Sequence, residues 1–376
     1  MSSPLTRNSL TPNPLPPQPL TLQQRVLPAY RAPFFEILAQ AAGGLRLFAG
    51  QPLPVESIVS AEEGALPHVR VTWGRNRHFR DPSSRAFLCW QSGLLAWLER
   101  VQPRALVVEA NPRYLSNWLA VRWMRRRGLP VLGWGLGAPR SGNPLERTFR
   151  LAYLRSLDGV IAYSRRGAEQ YRALGLERVF VAHNAAVSRP AAPPPERPWP
   201  PRRPLTVLFV GRLQARKRLD LLFRACAALP QELRPRLLVV GDGPARAQFE
   251  AAAAAHYPQT IFLGALHGEA LRPHLAAADL FVLPGTGGLA VQQAMSAALP
   301  IIVAQGDGTQ DDLVRPENGW QVPPGSLPAL TETLRQALSD PARLRRMGEA
   351  SFRIVRDEIN LERMAQAFLE AVDGGR

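Results

Sequence analysis

From residue 205 to residue 304 short apolar runs alternate with longer amphipathic stretches. Residues 205–210, 237–240, 260–263, 280–283 and 301–304 read as strands. Helices are predicted at 218–229, up to about 255, and at 268–277 and 289–298. Strands that are apolar at nearly every position are buried on both faces, and their alternation with helices gives a doubly wound α/β domain around a parallel sheet. Ligands in such domains bind beyond the carboxyl ends of the strands. Arg212, Lys217, Gly241, Gly243, Gly264 and the stretch 285–288 fall on that edge.

Residues 187–204 are so rich in proline that helix and sheet are excluded, and a stiff, extended linker is expected there. Ahead of it lies a weaker version of the same rhythm, with strand-like runs at 45–48, 69–71, 105–108, 130–133, 159–162 and 179–182. The expected organisation is a disordered Pro-rich tail at 1–20, a Rossmann-like domain at 21–186, the linker, a second Rossmann-like domain at 205–345, and terminal helices at 346–376 that pack back on the first domain. A helix break is expected near Arg356 and Asp357. The fold class is therefore α/β, two doubly wound domains facing each other across a cleft.

Composition narrows the function classes. The tail lacks the apolar core of a secretory signal, and no run approaches the ~20 apolar residues needed to cross a bilayer. A cytoplasmic protein is expected. Cys89 and Cys226 sit in apolar surroundings and read as buried free thiols, while the six histidines show no metal-ligand spacing, so no metal is expected. The formal charge of +16 is lopsided: residues 1–200 hold 26 Arg against 12 Asp and Glu, and residues 201–376 hold 20 Lys and Arg against 18. An anionic partner is thus expected for the first half. Arg122, Arg125, Arg126, Arg127, Arg140, Arg147, Arg150, Arg155, Arg165 and Arg166 suit an anionic membrane surface or charged glycan, with Phe149, Leu151 and Tyr153 close to them in sequence. Nucleic acid is not expected, because no recognition motif is present.

Of the 46 basic residues, Lys217 is the one lysine. A compact ammonium on a flexible stem suits one oxygen of a phosphate, where the flat arginine fork does not. Lys217 follows Gly211 and Arg212, which close the run 205–210.

These pieces form an ordered set: Val210-Gly211-Arg212 with Lys217, Val240-Gly241-Asp242-Gly243-Pro244, Phe262-Leu263-Gly264, 278–284, Gly288-Leu289 through Met295, Pro300-Ile301-Ile302 and Glu317-Asn318-Gly319. The set resembles the carboxyl-terminal domain of retaining glycosyltransferases of family 4, which have the GT-B fold. The resemblance implies a metal-independent hexosyltransferase acting on a nucleoside-diphosphate sugar, with no cofactor. It implies that Arg212 and Lys217 hold the diphosphate and stabilise its growing charge as it leaves. It places Gly211, Gly241, Asp242, Gly243, Leu266, Gly287, Gly288, Leu289 and Gln293 around the donor. The turn at Gly241 and Gly243 is equally explained as a plain strand-to-helix turn. Glycine at 287 and 288 lets main-chain N–H groups approach a ligand.

The chain departs from the family where two glutamates normally stand, at Gly285 and Gln293. Glutamine can still accept a bond from a ribose hydroxyl, without charge assistance. On the acceptor side, Tyr30 and Arg31 follow the expected first strand, Glu109 closes the run 105–108, and Trp134 with Gly135 lies in a turn, read as mobile, where many members carry histidine. His183 and Asn184 read as a turn.

The resemblance implies transfer of a sugar, with retention, and the expected acceptor is a glycan or lipid-linked molecule in cell-envelope or polysaccharide assembly, on the inner face of the membrane. The rivals are a catalytically silent GT-B subunit, favoured by the missing glutamates, and a nucleotide-sugar epimerase, for which no well-placed acid and base pair is evident.

Overall fold

The computed structural model describes residues 19–374 apart from 57, 82, 83, 85, 139–142 and 307. Residues 1–18 of the tail expected at 1–20, and Arg140, lie outside the described residues.

The first domain runs β1 (Leu20–Val26), α1 (Ala32–Ala41), β2 (Leu45–Gly50), β3 (Val69–Phe79), β4 (Leu88–Ser92), α2 (Leu94–Val101), β5 (Ala105–Glu109), α3 (Leu115–Arg125), β6 (Val131–Gly135), α4 (Pro144–Arg155), β7 (Gly159–Ala162), α5 (Arg165–Arg172) and β8 (Val179–Val181). Its sheet has the order β4-β3-β2-β1-β5-β6-β7-β8. All pairs are parallel except β3 with β4, where Arg75 to Phe79 extend past the parallel sheet to meet Ser92 to Leu88. The central strand β1 starts at Leu20, inside the expected tail. Its sequence LTLQQRV is half polar, yet all seven residues are buried.

The second domain runs β9 (Thr206–Val210), α6 (Leu219–Ala227), β10 (Arg236–Val240), α7 (Arg246–His256), β11 (Ile261–Gly264), α8 (Arg272–Ala277), β12 (Leu280–Leu283), α9 (Ala290–Ser296), β13 (Ile301–Ala304), α10 (Thr309–Leu313), β14 (Gly319–Val322), α11 (Leu327–Ser339), α12 (Pro341–Asp357) and α13 (Leu361–Asp373). The strand order is β11-β10-β9-β12-β13-β14, parallel throughout. Chain order reverses between β1 and β5 in the first sheet and between β9 and β12 in the second, the positions where such sheets open a crevice.

Two expected boundaries move. The expected division at 345/346 falls inside α12, whose Leu344, Ile354 and Val355 belong to the second core. The chain returns to the first domain only at α13, where Phe368 packs edge-on against Phe34 and Trp134 with ring centroids 5.0 and 4.9 Å apart. Burying each such side chain stabilises the fold by about 1.5–3 kcal/mol. The proline-rich segment is not a free spacer. Arg197 reaches back from it, and its guanidinium donates to the carbonyls of Leu275, Ala278, Ala297 and Ala298 at 2.8–3.4 Å. That strap lies on the second domain, so the crossing occurs ahead of it: Ala185 belongs to the first core and Val187 packs on the second. The two crossings touch, because the Leu361 N–H donates to the Val187 carbonyl at 3.0 Å.

Candidate functional site

The edge of the second sheet is assembled from main chain. The turn after β9 and the turn after β10 lie side by side: the Gly211 N–H donates to the Val240 carbonyl at 3.0 Å and the Leu213 N–H to the Asp242 carbonyl at 2.9 Å. A Cβ on Gly241 would sit 2.0 Å from the Gly211 oxygen, so only glycine permits this approach. The structure thus gives Gly211, Gly241 and Gly243 a packing role. Asp242 is exposed, and its carboxylate accepts from the Gly243 N–H at 2.7 Å and from Arg246 at 2.9 Å. Arg212 is exposed on the first of these turns, and Leu266 is half-buried against the second core.

Lys217 is not a solvated helix residue. It closes a short turn before α6 and is 4% exposed. Its ammonium donates to the Thr286 carbonyl at 2.9 Å and to the Gly287 carbonyl. An ammonium carries three hydrogens, and these two bonds use two of them. Burial, aided by the neighbouring Arg216 charge, lowers its pKa to about 8.

The same junction explains Gly285. It is buried, and a Cβ there would lie 2.1 Å from the Arg216 oxygen and 2.5 Å from the Lys217 carbonyl carbon. A glutamate cannot be accommodated with the loop 284–288 packed this way. The loop meets the 215–217 turn through the Thr286 N–H to Arg216 carbonyl bond at 3.2 Å. Past the half-buried Gly287 and the exposed Gly288, Leu289 leads into α9, which has seven residues. Gln293 on that helix is exposed. Its neighbour Gln292 is the buried one: it accepts from the Ala186 N–H and donates to the Asn184 carbonyl, both at 2.7 Å.

The first domain offers a pocket of about 750 Å³, lined among others by Glu109, Arg113, Trp134, Gly135, Phe149 and Tyr163. Glu109 sits on its wall at the end of β5, and its Oε2 accepts from the Arg25 N–H at 2.7 Å. Burial pushes this carboxyl up to about 7, against the pull of that bond and of the Arg25 and Arg31 charges. Trp134 and Gly135, read as part of a mobile turn, instead end strand β6. Trp134 is 1% exposed because Phe34, Phe35, Tyr163 and Phe368 surround its ring. Arg31 is buried with its guanidinium 4.5 Å from the Trp134 ring centroid and 5.3 Å from that of Tyr163. Tyr30 beside it is half exposed. Glu109, Trp134 and Gly135 therefore share one pocket, with Arg31 against its aromatic residues.

The carboxyl edges of the two sheets meet. Asp312 on α10 accepts from the Arg165 N–H at 2.8 Å and lies 3.4 Å from His183, while Gln292 holds the 184–186 segment. His183 and Asn184, read as a plain turn, thus take part in the junction between domains. Sequence reasoning missed Arg25, Glu56, Gln292 and Asp312. Arg25 donates to Glu56 at 3.0 Å and lies with its guanidinium 5.9 Å from the ring of Phe87, a residue that lines the pocket. An arginine at the carboxyl end of a central strand was the available signal. Among the described residues no group of three or more His, Cys, Asp or Glu is placed to hold a metal.

Residues 196–353 match the family model described as glycosyl transferases group 1. A sulfoquinovosyl transferase of Arabidopsis thaliana is 32% identical over 157 residues, 40% of this chain and 30% of that protein. A GDP-mannose-dependent alpha-mannosyltransferase of Mycobacterium tuberculosis is 34% identical over 132 residues, 34% of this chain and 33% of that protein. The chain thus spans about a third of the length of these curated relatives. Among solved structures, Anabaena HepE in complex with UDP superposes with a TM-score of 0.70 at 15% identity, covering 95% of this chain and 100% of that one. Sucrose-phosphate synthase from Thermosynechococcus elongatus gives 0.67 at 20%, covering 95% and 98%. The chain has the GT-B fold, and the stretch that matches the group 1 glycosyl transferase model, residues 196–353, comprises most of its second domain.

Proposed function

We propose that the protein transfers a sugar from a nucleoside-diphosphate donor to a glycan or lipid-linked acceptor, with retention of anomeric configuration and without a metal ion. The observation that carries this reading is the buried Lys217 ammonium, fixed between two carbonyls with one hydrogen left over, on the connection from β9 to α6 that also carries the exposed Arg212. A fixed cation in a site shielded from water stabilises charge that develops on a departing diphosphate. In a retaining reaction the bond from the anomeric carbon to the phosphate oxygen breaks, the acceptor oxygen bonds to that carbon on the same face, and the acceptor proton passes to the departing phosphate. Glu109 in the first-domain pocket would hold an acceptor hydroxyl. The donor chemistry of relatives named as GDP-mannose-dependent, and of a solved neighbour titled with UDP and glucose, supports a nucleotide sugar.

Lys217→Ala tests this directly. Removing a hydrogen bond to a charged group costs about 1.5–3 kcal/mol, so nucleoside diphosphate affinity should fall about ten- to a hundredfold. Wild-type affinity should also decline as pH rises past about 8, where the ammonium is lost. Calorimetric titration over a nucleotide panel, with transfer followed by the anomeric proton signal and with and without a chelator, reads all parts. Unchanged affinity in the alanine variant removes the assignment. A second reading, a silent GT-B subunit, is favoured by Gly285, where the packing leaves no room for a carboxylate. Nucleotide binding without turnover of any nucleotide sugar would support it.

A further inference from the structure

The first half of α4 projects from the body of the first domain. Residues 143–149 are all exposed, and Leu145 and Phe149, one turn apart on one face, are 81% and 42% exposed. Asn143 caps this helix by accepting from the Glu146 N–H at 2.8 Å, and Pro144 occupies its first turn, so the projecting turns are built to form. Phe149 stacks on Trp118 of α3 with ring centroids 5.0 Å apart, which makes α3 and α4 one continuous surface. On it lie Leu119, 41% exposed, and a groove of about 600 Å³ flanked by Arg122, Arg125 and Arg126. Four of the ten exposed large apolar side chains among the described residues fall between Leu119 and Phe149. Residues 110–157 contain nine arginines and a single carboxylate, Glu146. No helix among the described residues is long and apolar enough to cross a membrane, so contact with lipid would be at the interface.

The geometry points to the α3–α4 face as a docking surface for an anionic lipid bilayer, which presents a lipid-linked acceptor to the first-domain pocket. This rests on the acceptor reading proposed above. Charge complementarity selects the occupant: guanidinium groups meet anionic headgroups while Leu145 and Phe149 enter the boundary with the acyl chains. A nucleic acid would use the arginines and leave Leu145 without a role. Continuity selects the acceptor, because Glu146, Phe149 and Arg150 of the projecting helix also line the pocket that holds Glu109. An acceptor headgroup could enter that pocket while its lipid chain stays in the bilayer.

The test is flotation of the full chain with phosphatidylcholine vesicles, alone or with about 30 mol% phosphatidylglycerol, at low and high salt. Binding to the anionic vesicles alone, falling as salt rises, is expected. Leu145→Asp with Phe149→Asp should weaken it at least about tenfold through lost apolar burial. Arg122→Glu with Arg126→Glu should weaken it about as much, through lost attraction to the charged surface. Both variants change exposed positions, and unchanged thermal melting with unchanged nucleoside diphosphate affinity shows that the fold and donor edge are intact. Equal binding to neutral vesicles, or wild-type binding by the apolar variant, overturns the proposal. Loss by the arginine variant alone would assign the face to another polyanion and also overturns it. The underlying reading fails separately: vesicle binding without turnover of any nucleotide sugar upholds docking and removes the transferase reading, and turnover on soluble acceptors without vesicle binding does the reverse.

Discussion

The two domains share an architecture and build their working edges from different material. The second uses main chain: two strand-end turns joined by backbone bonds, and a glycine loop pressed against the turn that carries Lys217. The first uses side chains: a half-buried glutamate, aromatics and arginines around a pocket. A site made of backbone leaves its mark as glycines at fixed offsets, because few other residues tolerate such close approach. A site made of side chains gathers residues from distant segments, and nothing in their local spacing announces it.

The sharpest way to break this contrast is at Gly285. Alanine there would place a Cβ 2.1 Å from the Arg216 oxygen, so the loop or the Lys217 turn must move. Gly285→Ala should cost about 3 kcal/mol of stability and weaken nucleotide binding with it, seen by denaturant titration and calorimetry. If the variant matches wild type in both, the backbone account of the donor edge fails.

The first domain is tested through Glu109. Its carboxyl is raised from 4.5 to about 7 by burial, so between these values the native state holds more protons than the unfolded chain. This group's contribution to stability therefore falls as pH rises through that window and stays reduced above it. Glu109→Gln removes the penalty and should be more stable than wild type by on the order of 2 kcal/mol at pH 8, with little difference near pH 4. Transfer activity should fall if the carboxylate holds the acceptor. Parallel stability curves for the two proteins across this range would show that Glu109 is not held in the raised state.

The smallest effect expected is at Gln293. A carboxylate bond to a ribose hydroxyl is about twice as strong as an amide one, so Gln293→Glu should tighten nucleotide binding by about 1 kcal/mol if this exposed side chain faces the ligand. Affinity within error of wild type would leave the donor edge with main-chain contacts and cations alone.

Legibility followed the same division. The strands of the second sheet up to β13 were readable because they are apolar at almost every position, and the glycine turns marked their ends. Strand β1 was not, since Thr21, Gln23, Gln24 and Arg25 break the apolar pattern and are buried only because distant partners satisfy them. Thr21 donates to the Ala105 carbonyl at 2.7 Å, and Gln23 accepts from Asn117 at 2.8 Å. Strand β14, GWQV, was missed because Gly319 and Gln321 interrupt its apolar pattern. The choice between Gln292 and Gln293 was invisible because adjacent helix positions differ only in the direction they point. Trp134 lay between glycines and read as a turn, while its burial depends on Phe368, more than two hundred residues away in sequence.

The paired crossings carry a mechanical consequence. A body joined to another by two stretches of chain that are bonded to each other has less freedom than one held by a single tether. Here the two tethers are tied together at a single bond, from Leu361 N–H to the Val187 carbonyl, with Arg189 holding both Glu362 and the Arg356 carbonyl beside it. The pivot is therefore compact and cross-braced. Sliding of one domain along the other is resisted there, and again where Asp312 accepts from the Arg165 N–H and Gln292 holds the 184–186 segment.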